Sequence, residues 1–239
     1  MMKLPASTLM MLYLFSLSAF SNPLIEAHQG LAGAQKQLES RLEEVQERFK
    51  HNPEFLLFLK KRQESWNHFL SSHAVDPNNV YSAKNHAAHI RDRSKWLNGI
   101  LINPASIKNP EGLYWDTLGN SLRIKTIGTK IYFGIHKYEY THGHQGVIGG
   151  TIDNWKDGDG LFEANMSRDE NRPHTVTVKF ELRNGLLIIK PSSSLSFIGG
   201  HRAHFDGVYS RISPLKKRDL RILKSDLEFH SPPEFSSPF

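Results

Sequence analysis

Hydrophobic positions recur at helical spacing in the first part of the chain. Apolar residues three or four apart are Leu31, Ala34, Leu38, Leu42, Val45 and Phe49. This spacing places them on one face of a helix. Asn52 and Pro53 then supply an N-cap and a first-turn proline for a second helix. Asp76 and Pro77 repeat that start signal for a third helix, and Gly99 is its expected end. Three helices with short connections predict a small antiparallel bundle.

From Gly112 to Arg211 the pattern changes to the alternation that is typical of strands. Val176, Val178 and Phe180 alternate with polar residues, which is the period of a half-buried strand. Turn signals separate the runs at residues 126–129, 154–160 and 183–185. The expected strands span residues 112–118, 121–127, 129–136, 145–152, 160–167, 174–182, 185–190, 194–199 and 203–211. The fold class is therefore α+β, an N-terminal three-helix bundle followed by an antiparallel β-barrel or sandwich of about eight strands.

Similar tripeptides at the two ends of the β region predict that a barrel closes. Gly112 and Tyr114 open the region, and Gly207 and Tyr209 end it. Glycine permits close approach of two backbones, and tyrosine can fill the barrel end while its hydroxyl reaches water. Large apolar residues at alternate positions predict a filled interior, and they are Leu122, Ile124, Ile131, Phe133, Val176, Val178, Phe180, Leu187 and Ile189. A ligand would then bind outside the barrel.

The N-terminus resembles an export signal. Lys3 precedes an uncharged, mostly apolar stretch from Leu4 to Phe20, and Ala19 and Ser21 are small residues at the positions that a signal peptidase reads. We therefore expect cleavage after Ser21, a periplasmic or secreted mature protein, and no transmembrane span after cleavage. The sequence divides into a signal peptide at 1–21, a helical domain at 22–99, a linker at 100–111, a β-barrel-like domain at 112–211 and a disordered, proline- and serine-rich tail at 212–239.

Composition and charge narrow the function. The chain of 239 residues has no cysteine, which excludes disulfides, thiolate metal sites and cysteine nucleophiles. Its formal charge of +6 is spread evenly, with +2 in residues 22–111, +2 in 112–211 and +1 in 212–239. The spread predicts no concentrated basic face, and therefore no nucleic-acid partner.

One stretch resembles a known family. Gln63 and Trp66, followed by a helix that carries Arg91, Arg93 and Leu97, look like the signature of the LprI-type N-terminal domain, a helical module of exported bacterial proteins named from a lysozyme inhibitor. The resemblance covers about 70 residues and implies an exported helical module. The paired cysteines that this family usually carries are absent, so its disulfides do not carry over.

Histidines supply the main candidates for chemistry. His142 and His144 lie in a glycine-rich turn, and His201 and His204 precede the last strand, so an envelope metal-binding protein or a hydrolase built on these four is the alternative function. No nucleophile-elbow, zincin or EF-hand pattern is present in the sequence. We expect no cofactor and no catalysis. The pair His86 and His89, three residues apart on a helix, is expected on a wet surface.

Aromatic residues with nearby lysines suggest a binding surface instead. The candidate ligand-binding residues on the rim of the β region are Tyr138, Tyr140, His142, His144 and Trp155. Aromatic rings and lysines of this kind can hold a glycan or an anionic polymer. The sequence thus favours an exported, non-enzymatic cell-envelope binding protein whose partner is an envelope protein or glycan. The narrower form of this hypothesis is an inhibitor of lysozyme or another peptidoglycan hydrolase.

Overall fold

Three N-terminal helices are followed by a closed barrel, as the pattern predicts. The computed structural model describes residues 22–103, 108–116, 120–139, 144–165, 175–191 and 205–230. The three N-terminal helices are α1 (Pro23–Arg48), α2 (Pro53–Ser72) and α3 (Val80–Ile102). One hydrophobic core joins them, and its largest buried members are Val45, Phe55, Leu59, Trp66, Ile90, Trp96, Leu97 and Ile100. The core follows the predicted apolar stripes.

Asparagine side chains begin all three helices. The Asn22 and Asn52 carbonyl oxygens each accept a backbone N–H of the first turn, at 3.0 Å, as the Asn-Pro signal predicts. The predicted start at Asp76 is wrong. Asp76 accepts the N–H of Asn78 in a turn, and Asn79 caps α3 by accepting the N–H groups of Tyr81 and Ser82. An Asx turn and an N-cap use the same side-chain chemistry, so the sequence signal did not separate them.

The predicted end of α3 at Gly99 is also wrong, because the helix continues to Ile102 and takes up part of the expected linker. Gly99 lies against the barrel, where an added Cβ would fall 2.5 Å from the Ser210 Oγ and 2.9 Å from the Arg211 carbonyl oxygen. The glycine therefore serves close packing rather than helix termination. Nearby, the Trp96 Nε1 donates to the Val208 carbonyl oxygen at 3.1 Å, so bundle and barrel share a buried interface.

Eight antiparallel strands close into a barrel in sequence order. They are β1 (Gly112–Trp115), β2 (Ser121–Ile127), β3 (Lys130–Glu139), β4 (His144–Lys156), β5 (Asp159–Asn165), β6 (Thr175–Arg183), β7 (Leu186–Pro191) and β8 (Gly207–Ser213). Strand β1 pairs with β8, which confirms the closure inferred from the terminal tripeptides. The hairpin turns at Asp157–Gly158 and Asn184–Gly185 have positive φ, as such turns require. The predicted strand at 194–199 lies outside the described residues.

The barrel interior is filled by side chains. All nine residues predicted to point inward belong to one buried core, together with Ile135, Ile148, Phe162 and Phe205. Tyr114 and Tyr209 are fully buried as well, so the expectation that their hydroxyls reach water is wrong. The Tyr114 hydroxyl donates to the Pro110 carbonyl oxygen at 2.7 Å, and burial raises the pKa of both tyrosines above its ordinary range.

A fourth helix, α4 (Lys217–His230), occupies half of the segment predicted to be disordered, and that prediction is wrong for these residues. Leu223 and Leu227 of α4 are buried against Tyr132 on the outer face of the barrel. Gly149 on β4 makes room, because an added Cβ there would fall 2.9 Å from the Asp226 carbonyl oxygen. The sequence does contain leucines at helical spacing in this segment, but the flanking prolines and basic residues favoured the prediction of disorder. Residues 231–239 lie outside the described part of the chain.

Candidate functional site

The predicted rim residues do not form one cluster. Tyr138 and His144 lie on paired strands at the β3–β4 end of the barrel. Trp155 lies eleven residues beyond His144 on β4, next to the β4–β5 turn, which is roughly 35 Å away along an extended strand. Tyr140 and His142 lie outside the described residues. The barrel therefore keeps Trp155 apart from the two residues of the set that can be placed with it.

The contacts of Trp155 are packing and hydrogen-bonding contacts within the fold. Its half-buried ring packs against the barrel core next to Gly160, where a Cβ would come within 2.6 Å of the ring. Its Nε1 donates to the Lys108 carbonyl oxygen at 3.2 Å. These contacts tie the segment before β1 to the barrel end.

The histidine alternative lies largely outside the described structure. His142, His201 and His204 are not among the described residues, and only the backbone of His144 can be placed, on β4. Within the part of the chain that the structure describes, no group of three histidine, aspartate or glutamate side chains is arranged to hold a metal ion.

A surface concavity lies where the bundle, the barrel and α4 meet. It is a cleft of about 760 Å³. Its charged lining residues are Arg41, Arg91, Lys95, Arg123, Lys216, Arg218 and Asp219. We call this concavity the junction cleft. The sequence alone does not reveal this group of cations, because they come from α1, α3, β2 and the start of α4 and the charge is spread evenly along the chain. The expectation of no concentrated basic face is wrong for the folded chain.

Only half of these six cations lie close to a carboxylate. Arg41 pairs with Glu44 at 2.6 Å, and Lys95 pairs with Asp92 at 3.0 Å, both carboxylates of the same helix as their partner. Among the described residues, no carboxylate lies within ion-pair distance of the remaining exposed cations, which are Arg91, Lys216 and Arg218. Three of the six cations thus have a carboxylate within 4 Å and three do not, so the cleft keeps an excess of positive charge. A concave surface of one sign attracts ligands of the opposite sign.

Arg123 is the most buried cation of the junction cleft. Its side chain is 10% exposed, and its Nε lies 3.7 Å from the Asp219 Oδ1, beyond hydrogen-bond distance. The Nη1 donates to the Ser121 Oγ at 3.1 Å, while the buried Nε has no hydrogen-bond acceptor among the described residues. Burial lowers the pKa of Arg123, although Asp226 and Asp219 act to raise it. The guanidinium is nevertheless a cation at neutral pH.

The rest of the lining is suited to hydrogen bonding and stacking. Uncharged polar side chains in the wall are Gln37, Ser94, Asn98, Ser121 and Ser213. Trp115 on β1 adds a half-buried aromatic ring, and the Lys95 Nζ lies 4.5 Å from the ring centroid. Lysine over an indole face is a favourable cation–π arrangement. The wall therefore offers donors, acceptors and one ring beside the cations.

Three of the residues that carry the family resemblance, Gln63, Trp66 and Arg93, are in contact in the bundle. Arg93 on α3 is fully buried, and its Nε and Nη2 donate to the Gln63 Oε1 at 3.2 and 2.9 Å. Its guanidinium lies 4.4 Å from the ring centroid of Trp96 and 6.0 Å from that of Trp66. Burial, assisted by the charge of Arg62, lowers the pKa of Arg93 to about 9, so it stays charged at neutral pH. This arrangement joins α2 to α3.

A second polar cluster lies inside one end of the barrel. The Lys137 Nζ donates to the Asp116 Oδ2 at 2.9 Å, and Asn120 donates to the same carboxylate from its side chain and its backbone. Burial lowers the pKa of Lys137, but the neighbouring Tyr209 and Asp116 raise it by more, so it lies above its ordinary value. Charge is balanced here, in contrast to the junction cleft.

Comparison of the chain with protein-family models, with curated proteins and with solved structures finds no match. In the described ranges, none of the helices combines the length and the apolar character needed to cross a membrane.

Proposed function

We propose that the protein is an exported, non-enzymatic cell-envelope binding protein, and that the junction cleft is its binding surface for anionic ligands. The observation that carries the proposal is the excess of positive charge around an open cleft of about 760 Å³. Volumes of this size are typical of ligand sites. The filled barrel favours the same surface, because its packed side chains occupy the space that a ligand would need inside.

Export is proposed from the signal-like pattern of residues 1–21. N-terminal sequencing of the protein recovered from the extracytoplasmic fraction tests it. A mature chain that begins at Asn22 is the expected result, and recovery of a chain that begins at Met1 would contradict export.

Inhibition of lysozyme or another peptidoglycan hydrolase is the narrower form of the proposal. It is supported by the resemblance to the LprI-type module, and three residues that carry this resemblance, Gln63, Trp66 and Arg93, are in contact in the bundle. A basic junction cleft would repel a basic lysozyme, so electrostatic complementarity favours a different, anionic partner. A lysozyme lysis assay with equimolar protein tests this form, and unchanged lysis would leave the binding function without the inhibitory one.

Charge neutralisation within the cleft tests the proposed binding surface. The triple variant Arg91→Gln, Lys95→Gln and Arg218→Gln removes three exposed cations of the cleft. The matched control, Lys61→Gln, Lys84→Gln and Lys130→Gln, removes the same charge from exposed positions outside it. The probe is dextran sulfate at 50 and 150 mM salt. We expect the cleft variant to lose about tenfold or more in affinity and to show a weaker salt dependence, with the control close to wild type. Equal losses in both variants would refute a localised site.

A further inference from the structure

The chemistry of the wall narrows the ligand class, and the argument rests on the proposed anion-binding function. We infer that the junction cleft recognises a carbohydrate chain that bears carboxylate or phosphate groups. Three features of the lining carry the inference: the spread of its cations, the excess of arginine, and the uncharged residues between them.

The cations are distributed along the cleft rather than gathered at one point. Arg41 and Arg91 belong to different helices of the bundle, Arg123 to the barrel, and Lys216 and Arg218 to the start of α4. A single small anion could reach only a few of them. A ligand with several anionic groups along its length can reach cations on all three parts of the molecule, and so its charges match the layout of the site.

Arginine outnumbers lysine among the cations by four to two. A guanidinium presents a planar fork of donors that matches a carboxylate or phosphate group with two parallel hydrogen bonds. Arg91 and Arg218 are exposed and have no carboxylate partner among the described residues, so both forks are available to a ligand. The anionic groups expected on the ligand are therefore carboxylates or phosphates.

The uncharged wall indicates a sugar backbone between those groups. Side chains of Gln37, Asn98 and Ser94 come from the bundle, and those of Ser121 and Ser213 come from the barrel. Amide and hydroxyl groups can each donate and accept, which suits the vicinal hydroxyls of a sugar ring. Trp115 adds a large flat apolar surface on which a sugar ring can pack. An acidic peptide would satisfy the cations but would make little use of these side chains.

Ligands of matched length distinguish recognition of a charged carbohydrate from binding of anions in general. The chain from Asn22 onward is titrated calorimetrically with a galacturonate tetrasaccharide, a phosphorylated maltotetraose, uncharged maltotetraose, tetraglutamate and inorganic phosphate. We expect at least one charged tetrasaccharide to bind about tenfold more tightly than tetraglutamate, maltotetraose and phosphate. The first two ligands distinguish a carboxylate source from a phosphate source.

Variants of the wall make the outcome specific. Trp115→Ala should weaken binding of the charged tetrasaccharide about fivefold and leave tetraglutamate binding unchanged. The double variant Gln37→Ala and Asn98→Ala should also weaken binding of the charged tetrasaccharide. Because neither residue lies on β1, this variant keeps the test valid if Trp115→Ala fails to fold. If tetraglutamate binds as tightly as both charged sugars and responds to the Arg91, Lys95 and Arg218 triple variant, the carbohydrate inference falls and the anion-binding function stands. If neither charged sugar nor tetraglutamate binds, or the triple variant changes nothing, both fall.

Discussion

The barrel interior and the junction cleft are built in opposite ways. The interior consists of apolar side chains at alternate positions of neighbouring strands, and residues such as Phe133 and Phe180 are fully buried there. The cleft consists of charged side chains from segments as distant as Arg41 and Arg218. Local pattern specifies the first, whereas only the tertiary fold creates the second. Stability and binding should therefore respond to different substitutions.

The largest effect is expected from a cavity in the barrel. Phe180→Ala removes a fully buried ring that packs edge to face on Phe133, with centroids 4.9 Å apart. The substitution should lower the free energy of unfolding by about 3–5 kcal/mol, measured by urea denaturation. Ligand affinity should be unchanged under conditions where the variant is folded, because Phe180 is not one of the residues that line the cleft.

The control for this variant is Leu161→Ala on the neighbouring strand β5. Leu161 is 39% exposed, so its truncation should cost much less, about 1 kcal/mol or below. A loss of similar size in both variants would show that the barrel interior is not the main source of stability.

The packing of α3 on β8 links the two regions, and Gly99→Ala should disturb both. The added Cβ meets Ser210 and the Arg211 backbone, so the helix must shift away from the barrel. We expect a loss of about 1–3 kcal/mol in unfolding free energy. Affinity for the anionic probe should fall as well, since Lys95 and Asn98 of α3 line the cleft.

Gly33→Ala is the matched control in a helix. An added Cβ at Gly33 meets nothing within 4 Å, so alanine should stabilise the protein by about 0.5–1 kcal/mol through helix propensity. If Gly99→Ala also stabilises the protein, the close contact between α3 and β8 is not what selects glycine at that position.

The contrast between the two regions explains how far the sequence alone could go. Alternation and helical spacing predicted the three helices, the closed barrel and the buried core, because each depends on neighbours within one or two elements. Gly99 was misinterpreted because its partner, Ser210, is 111 residues away. The basic character of the junction cleft was missed for the same reason: each segment carries only a small net positive charge, and the cations come together only after folding.

Trp155 tests whether the rim or the cleft binds the ligand. Trp155→Ala removes the hydrogen bond to Lys108 and the contact with the barrel core. Because the ring is only half-buried, we expect a cost of about 1–2 kcal/mol, smaller than that of Phe180→Ala. Affinity for dextran sulfate should be unchanged, measured with the same protein samples. Lost affinity with unchanged melting temperature would favour the rim site predicted from the sequence.

The smallest effect concerns pH and a residue that belongs neither to the barrel core nor to the cleft lining. His89, expected on a wet surface, is instead half-buried, with its ring edge-on to Phe69 at 5.2 Å and 6.1 Å from the ring of His73. Burial lowers its pKa; the charge of His73 lowers it further, Asp92 raises it, and His86 again lowers it. The unfolded chain therefore binds a proton at a higher pH than the folded one does.

The free energy of unfolding should therefore decrease as the pH falls below about 6.5, the pKa of His89 in the unfolded chain, toward the lower pKa of His89 in the folded chain. The melting temperature of the wild type should drop between pH 7.5 and 5.5, and His89→Gln should drop less, since glutamine does not titrate. His51→Gln, at an exposed position, is the control and should follow the wild type. If His89→Gln and the wild type lose the same amount over this interval, desolvation of His89 does not contribute to the pH dependence. Neither histidine variant should change the affinity for dextran sulfate, because neither residue lines the junction cleft.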